Sequence, residues 1–422
     1  MSEFADFCRR AIDFSLAHGT GPASFGVAPE SFDAIWKEFI GRLAELPSLA
    51  ANGFAAHMVA PPHPAALLGY FATMLFNPNN HDVRHGAATL AMEREVVEQF
   101  VAMLGLPAGV SGHLTSGGSV ANLDGLWSAR RGRRDGVAAS QDAHHVHRRN
   151  CRLMGVDMVE IPCDGRGGMD LEGLEDVLRR GVIDTVIASV GTPGFGAVDA
   201  LDELVQLRRR YGFGLHVDAS YGGFFALLRD APDLDLPYRA LAAFRDCDSI
   251  ALDPHKHGYQ PYGCGCVLYV TGEGGDRQGS PYCDVAPRSG IEGSRPGAAA
   301  AALWLTLRCL PLSPLMGFGP ILRNCRLAAQ GFAEQLAASG RWSVPLAPQL
   351  GVVAFQPRDN VDCARLRDAA SVAGLELSLL RVPARRVGVA SAAELQILRA
   401  VFMQAGHLAL TAEFVDTLNR LI

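Results

Sequence analysis

The central part of the chain alternates between short apolar segments and segments with helical periodicity. Residues 184–190 read as a continuous strand of the kind that is buried on both faces of a parallel sheet. Residues 201–211 have helical spacing, and residues 213–217 are again apolar. This order of strand, helix and strand predicts an α/β fold with a mostly parallel sheet. Ligands bind such sheets beyond the carboxyl ends of the strands, so a functional site is expected at that edge.

The length of the chain favours two lobes. It has 422 residues, of which 49% are hydrophobic, enough for one large core and a smaller one. Residues 1–59 are predicted to form an N-terminal helical arm, and residues 60–310 a large domain that contains the sheet. Prolines and a glycine between residues 311 and 317 mark a break, so residues 311–422 are predicted to form a small C-terminal α+β domain. The elements predicted there are strands near 351–355 and 397–403 and a last helix from Thr411.

Charge and cysteine content narrow the class of protein. The net charge is −6 and the pI is near 6.1, and residues 130–134 are the one local basic run, so a nucleic-acid partner is not expected. No segment reaches the ~18 apolar residues of a membrane span, and charged residues interrupt the N-terminus before a signal peptide forms. Ten cysteines without the spacing of a disulfide scaffold fit reduced thiols, which predicts a cytoplasmic protein.

Two strand-end motifs predict the chemistry. Lys256 follows a predicted strand in the motif Asp-Pro-His-Lys, and Asp218 ends an apolar run in His-Val-Asp-Ala-Ser. A pyridoxal phosphate (PLP) enzyme needs such a pair, because the lysine holds the cofactor aldehyde as a Schiff base and the aspartate keeps the pyridine nitrogen protonated. Each motif alone is compatible with a surface lysine or a helix-capping aspartate, so the prediction depends on their combination.

A phosphate site is predicted where a helix begins after Thr-Ser-Gly-Gly-Ser at residues 115–119. Small residues let the backbone approach an anion, and free N–H groups at a helix start bind it. A serine N-cap with a glycine turn is the alternative. Downstream, His144, His145 and His147 raise the question of a metal, but no carboxylate or cysteine set with zinc spacing accompanies them. We therefore expect no metal, and favour a single imidazole, that of His144, stacked on a flat cofactor ring.

In the order of these motifs the chain resembles the group II PLP-dependent decarboxylases, which have PLP fold type I, the aspartate aminotransferase-like fold. The resemblance extends from about Pro61 to Leu307. The matching segments are residues 62–64, 115–122, the segment around 144, and residues 191–199, 216–224, 248–256 and 293–297. The resemblance implies PLP as cofactor, an amino-acid substrate and a homodimer with composite active sites.

The resemblance also implies a role for each matching residue. Lys256 would carry the cofactor, Asp218 would pair with the pyridinium, and His144 would stack on the ring face opposite the lysine. The other cofactor-binding residues that it implies are Gly118, Ser119, Thr192, Ser220, His255 and, across a dimer interface, Ser294. Tyr282, in a glycine-rich loop, is the first candidate for the acid that protonates the substrate carbon, and His144 is the second.

The activity implied is the decarboxylation of an L-amino acid, or a similar metabolite, to the amine and CO₂. The chain departs from the family's usual motifs at four residues: Pro193, His145, Val146 and His257. A decarboxylation-dependent oxidative deaminase and a retro-aldol C–C lyase on the same scaffold therefore remain alternatives. A non-catalytic scaffold is disfavoured because the lysine and the aspartate are both present. The sequence does not name the substrate, and Arg399 could either meet a carboxylate or be an exposed arginine.

Overall fold

The computed structural model describes residues 2–17, 29–49, 53–271, 284, 290–359, 361–387 and 393–422. Tyr282 lies outside these residues, so its role stays a prediction. The helices of the described residues are α1 (Ser2–Ala17), α2 (Pro29–Leu43), α3 (Pro64–Met74), α4 (Ala87–Leu104), α5 (Gly118–Ala129), α6 (Val146–Leu153), α7 (Leu171–Arg179), α8 (Leu201–Tyr211), α9 (Tyr238–Ala242), α10 (Gly297–Cys309), α11 (Phe318–Ala338), α12 (Cys363–Val372) and α13 (His407–Arg420). The strands are β1 (Ser111–Thr115), β2 (Gly136–Ser140), β3 (Asp157–Ile161), β4 (Ile183–Ser189), β5 (Gly214–Asp218), β6 (Ser249–Leu252), β7 (Gly265–Tyr269), β8 (Trp342–Ser343), β9 (Val352–Pro357), β10 (Ser378–Pro383) and β11 (Glu394–Val401).

Seven strands form one sheet in the order β1-β7-β6-β5-β4-β2-β3. Neighbours from β3 through β6 pair in parallel, whereas β7 pairs antiparallel with both β6 and the edge strand β1. Every residue of β2, β4, β5, β6 and β7 is buried, as expected for strands covered on both faces. The predicted α/β fold with a mostly parallel sheet is confirmed.

The alternation of elements follows from local sequence signals. Helix α8 occupies the residues that the helical spacing predicts, with acidic residues in its first turn and arginines in its last, which complements the helix dipole. Gly212 then adopts a left-handed conformation with φ of 72°, which ends the helix. The chain enters β5 two residues later, and β5 delivers Asp218 to the carboxyl edge of the sheet.

The C-terminal part contains a second sheet, antiparallel, in the order β10-β11-β9-β8. Its core is aromatic: the ring of Phe355 lies 5.3 Å from that of Phe332 and 5.5 Å from that of Trp342. Helix α13 begins at His407 rather than at Thr411, because the His407 ring packs against two phenylalanine rings of this core. The predicted small α+β lobe is present, while the boundaries predicted at residues 59 and 310 stay predictions.

The N-terminal arm is helical, and α1 contacts α3 of the large domain. Residues 32–43 of helix α2 are exposed, including six large apolar side chains. Those side chains are Phe32, Ile35, Trp36, Phe39, Ile40 and Leu43, between 44% and 57% exposed. None of the helices in the described ranges combines the length and the apolar character that a membrane crossing requires.

A buried ion pair fixes the edge of the large sheet. Arg295 donates to the carboxylate of Glu93 on α4 and to the carbonyl of Leu114 on β1, and both charged side chains are at most 6% exposed. Glu93 in turn accepts the N–H of Leu114 at 2.9 Å. Arg295 belongs to the Gly-Ser-Arg-Pro-Gly motif, so this arginine has a structural role that ties the motif to the sheet.

We expect Glu93→Gln to destabilise the protein by about 3–5 kcal/mol, because it leaves the buried Arg295 charge without a counter-charge. The free energy of unfolding from a denaturant titration measures this. Glu95→Gln is the matched control on the same helix, since Glu95 pairs with Arg308 in solvent. Equal stability of the two variants would contradict the role given to Glu93.

Candidate active site

A cavity of about 590 Å³ opens at the carboxyl edge of the parallel sheet. Because β4, β5 and β6 are parallel, the segments that follow them meet at this edge. The predicted site residues that line the cavity are Gly118, Ser119, His144, Asp218, Ser220, His255 and Lys256. Residues that are more than a hundred positions apart in the chain are therefore brought into one site.

Lys256 lies in a tight turn after β6. Its Nζ is 2.9 Å from the Oδ2 atom of Asp253, and the side chains are 19% and 5% exposed respectively. The backbone N–H of Lys256 also donates to the carbonyl of Asp253. The lysine amine is thus held at the cavity by a buried carboxylate. Asp253 is the first residue of the Asp-Pro-His-Lys motif, but the motif alone does not indicate that its carboxylate pairs with Lys256.

Asp218 ends β5 with both carboxylate oxygens engaged. Its Oδ1 accepts the backbone N–H of Ser220 at 3.1 Å, and its Oδ2 lies 2.8 Å from Nε2 of His147. Burial alone would raise the pKa of Asp218, but the hydrogen bond and electrostatic effect of His147, the hydrogen bond of the Ser220 side chain and the charge of Lys256 hold this pKa well below its ordinary value. Asp218 is therefore a carboxylate of fixed orientation at neutral pH.

The start of α5 forms a close backbone approach to the cavity. The first N–H groups of a helix have no acceptor inside the helix, and they point toward its N-terminal end. A Cβ on Gly118 would lie 2.5 Å from both carboxylate oxygens of Asp253, so only glycine fits there. Ser119 lines the cavity beside it. This part of the site suits an anion.

His144 faces the cavity as a neutral base. Burial lowers the pKa of His144 to about 4, against the raising effect of the Asp218 charge. Its Nδ1 accepts the backbone N–H of Val146 at 3.2 Å, which fixes the ring at the start of α6. A neutral, flat ring of this kind can stack on another flat ring. Within the described ranges, no group of histidines, cysteines or carboxylates is arranged to hold a metal ion.

The comparisons with known proteins agree with this arrangement. The profile of the family described as pyridoxal-dependent decarboxylase conserved domain matches residues 22–358. The chain belongs to this family. An L-tyrosine decarboxylase of Enterococcus faecium is 29% identical over 70% of this chain and 65% of its own length. A probable L-aspartate decarboxylase of Pyrococcus abyssi is 27% identical over 72% of this chain and 78% of its own.

A solved structure shows the same fold. The crystal structure of Oryza sativa TDC with PLP and tryptamine is similar with a TM-score of 0.78 at 18% identity, and the match covers 100% of this chain and 98% of that one. The prediction of PLP fold type I is confirmed. The chain spans about two thirds of the length of the tyrosine decarboxylase that it matches.

The cavity of this pyridoxal-dependent decarboxylase family member fits PLP. Lys256 supplies an amine, Asp218 a fixed carboxylate for the pyridine nitrogen, and the glycine approach at α5 a place for the phosphate. These three groups match three polar parts of the cofactor, the aldehyde, the ring nitrogen and the phosphate. The fit depends on the amine of Lys256 and the carboxylate of Asp218, two charged groups that packing of the core does not require.

Two predicted cofactor-binding residues do not line the cavity. Thr192 is fully buried, and its hydroxyl accepts the N–H of Ala197 at 3.1 Å, whereas its neighbours Gly191 and Pro193 line the cavity. Ser294 accepts a hydrogen bond from the Asn79 amide at 3.0 Å on an exposed part of the surface. Their roles toward the cofactor stay predictions.

Arg399 of β11 lines the cavity, a location that its sequence context left open. Its guanidinium donates to the hydroxyl of Ser378 and the carbonyl of Ala56 at 2.9 and 3.3 Å. Within the described ranges, no carboxylate lies at ion-pair distance from Arg399, and its Nε has no hydrogen-bond partner. Burial lowers the pKa of Arg399 to about 10, which still leaves the side chain charged at neutral pH.

Lys256 can be tested without a substrate, because the chain contains just one other lysine, Lys37. We expect borohydride reduction of the PLP-loaded protein to attach the phosphopyridoxyl group to Lys256, as located by peptide mapping. Lys37 lies on the exposed helix α2, so Lys37→Arg should label as the wild type does. Label on Lys37, or undiminished label in Lys256→Arg, would rule out the assignment.

Proposed function

We propose that this protein is a PLP-dependent decarboxylase of an L-amino acid, with the amine and CO₂ as products. The observation that carries the proposal is the meeting of Lys256, Asp218 and the glycine start of α5 in one cavity. When bound, PLP draws electrons from the α-carbon of an attached amino acid, so that the carboxylate can leave as CO₂. The relatives named as tyrosine and aspartate decarboxylases support the proposal.

Each residue around the cavity would have a distinct role in this reaction. Lys256 binds the cofactor through its amine, and Asp253 receives the released ammonium when a substrate amine takes its place. Asp218 holds a proton on the pyridine nitrogen. His144 would cover one ring face and, with its pKa near 4, lacks the acidic imidazolium proton at neutral pH. This favours Tyr282 over His144 as the acid that protonates the substrate carbon.

The position of Arg399 in the cavity favours a substrate that has a second carboxylate. A partly buried cation without a counter-ion is costly, and an anionic substrate would reduce that cost. If Arg399 held the carboxylate that leaves, the ion pair would stabilise the bound substrate and be lost as CO₂ forms, which would oppose the reaction. We therefore propose that Arg399 binds the side-chain carboxylate of an acidic amino acid.

We expect CO₂ release from aspartate or glutamate in a screen of the twenty amino acids, with amine, aldehyde and dioxygen followed together. Arg399→Met should lower kcat/KM for the acidic substrate about 100-fold, because a charge pair is lost. Arg381→Met, an exposed arginine on the neighbouring strand β10, is the matched control.

Each other result of the screen has a meaning. Turnover of tyrosine in preference to aspartate and glutamate, with no effect of Arg399→Met, would contradict the proposed substrate class. An aldehyde product with dioxygen consumption would replace simple decarboxylation by oxidative deamination. Cleavage of a C–C bond without CO₂ would favour the retro-aldol alternative.

We also propose a homodimer with composite active sites. Helix α2 has an apolar stripe at helical spacing, from Phe32 to Leu43, that the described residues of one chain leave exposed. Tyr262 at the cavity mouth is 69% exposed, and Ser294 is also solvent-accessible. A second copy of the chain would cover the stripe and close the mouth of the cavity.

The dimer prediction is tested by sedimentation at low micromolar concentration, where the wild type should be dimeric. Trp36→Glu with Phe39→Glu places two charges in the apolar stripe and should shift the protein to a monomer with little activity. Lys37→Glu, on the polar side of the same helix, should remain dimeric. A monomeric and fully active wild type would refute the proposal.

The location is proposed to be cytoplasmic. The cysteines of the described residues are free thiols, and several of them are buried in the large core. Burial raises the pKa of thiols such as Cys247 and Cys264, so they stay protonated and unreactive. Free thiols in this number are typical of a reducing compartment.

A further inference from the structure

His147 is a buried histidine that contacts Asp218 and to which the proposed function assigns no role. It lies on the first turn of α6, is fully buried, and does not line the cavity. Its Nε2 is 2.8 Å from Oδ2 of Asp218, on the side of the carboxylate away from the Ser220 N–H. In the sequence it was considered only as a metal ligand beside His144 and His145.

The groups around Asp218 leave His147 as the side-chain donor to its Oδ2. His216, on the same strand, is engaged at both ring nitrogens, with Asn122 and with Ser249, each at 2.9 Å. Burial lowers the pKa of His216 to about 3 and that of His144 to about 4, so both are neutral. Lys256 acts on Asp218 through its charge and is itself paired with Asp253.

We propose that His147 is a positioning residue that keeps the Asp218 carboxylate ionised and aimed at the pyridine nitrogen of PLP. The proposal rests on the proposed function only for the identity of the cofactor. His147 donates its Nε2–H to Oδ2, while the backbone of Ser220 holds Oδ1, so the plane of the carboxylate is fixed from two sides. The imidazole touches neither substrate nor cofactor and acts through Asp218.

The physical reason for such a donor is the burial of Asp218. A carboxylate at a buried strand end is destabilised as an anion and tends to take up a proton. A protonated Asp218 could no longer stabilise a proton on the pyridine nitrogen, and the ring would lose its capacity to withdraw electrons. A charge-assisted hydrogen bond from an imidazole opposes this and restricts rotation of the carboxylate.

The test replaces His147 and follows the bound cofactor by its visible absorption. In His147→Phe the ring volume is kept and the donor is lost. We expect PLP to bind about 10- to 100-fold more weakly, the effect of losing a hydrogen bond to a charged group. We also expect the pH titration of the visible band to move up by about one pH unit or more, because a ring without its proton leaves the nitrogen bonded to Lys256 more basic.

His147→Gln is the conservative variant, since its side-chain N–H can reach the same carboxylate oxygen. It should keep the titration midpoint and the PLP affinity near those of the wild type. If the phenyl ring disturbs folding, His147→Leu serves as the donor-free variant. His407→Phe, which replaces a buried histidine of the small lobe, controls for general effects of such a substitution.

The outcomes separate this proposal from the proposed function. The role of His147 is overturned if a donor-free variant binds PLP within about threefold of the wild type and its titration midpoint moves by less than about half a pH unit, which is a threefold change in proton affinity. A shift in His147→Gln as large as in the donor-free variant overturns it as well. Both measurements use the protein with PLP alone, so they hold even if no amino acid is decarboxylated.

Discussion

The parallel pairing of β4, β5 and β6 determines which side chains can meet in this molecule. Parallel strands end at one edge, and the register places Ser189 beside Asp218 and Asp218 beside Ala251, close to the point where β6 ends. The turn after β6 carries Asp253 and Lys256, so the Asp218 carboxylate, which we propose for the ring nitrogen, and the lysine amine come from neighbouring strands. The cavity at the carboxyl edge is a consequence of this pairing.

The charges at this edge are arranged in pairs, with one exception. Lys256 is paired with Asp253, and Asp218 with His147, each at hydrogen-bond distance and largely buried. Arg399 has no such carboxylate within the described ranges. Arg399 is a partly buried cation without a counter-ion among the described residues, next to two ion pairs. An anionic group of a bound substrate would supply the missing counter-charge. The two pairs would serve the cofactor, and the unpaired arginine would serve the substrate.

The sheet, and the positions of Lys256 and Asp218 at its carboxyl edge, could be predicted from the sequence because strand-end motifs are local. The strand predicted at residues 184–190 is β4, displaced by one residue, and the lysine follows β6 as expected. The role of His147 could not be predicted from the sequence, because its contact with Asp218 depends on the direction in which α6 runs. The signal was its spacing of three from His144, which places both rings on one side of a helix start. Arg399 and Thr192 could not be judged, since their surroundings come from distant parts of the chain.

The neutral histidines at the site constrain how the cofactor phosphate can be held. His144 is kept neutral by burial, and burial also lowers the pKa of His255, so neither supplies a positive charge at neutral pH. The cationic side chains among the described lining residues are Lys256 and Arg399, and the mechanism needs both elsewhere. If the phosphate lies at the start of α5, as proposed, backbone N–H groups and the dipole of that helix would balance its negative charge. Gly118 lets the backbone of the helix start come close to the turn after β6, since a Cβ at that position would lie 2.5 Å from both carboxylate oxygens of Asp253.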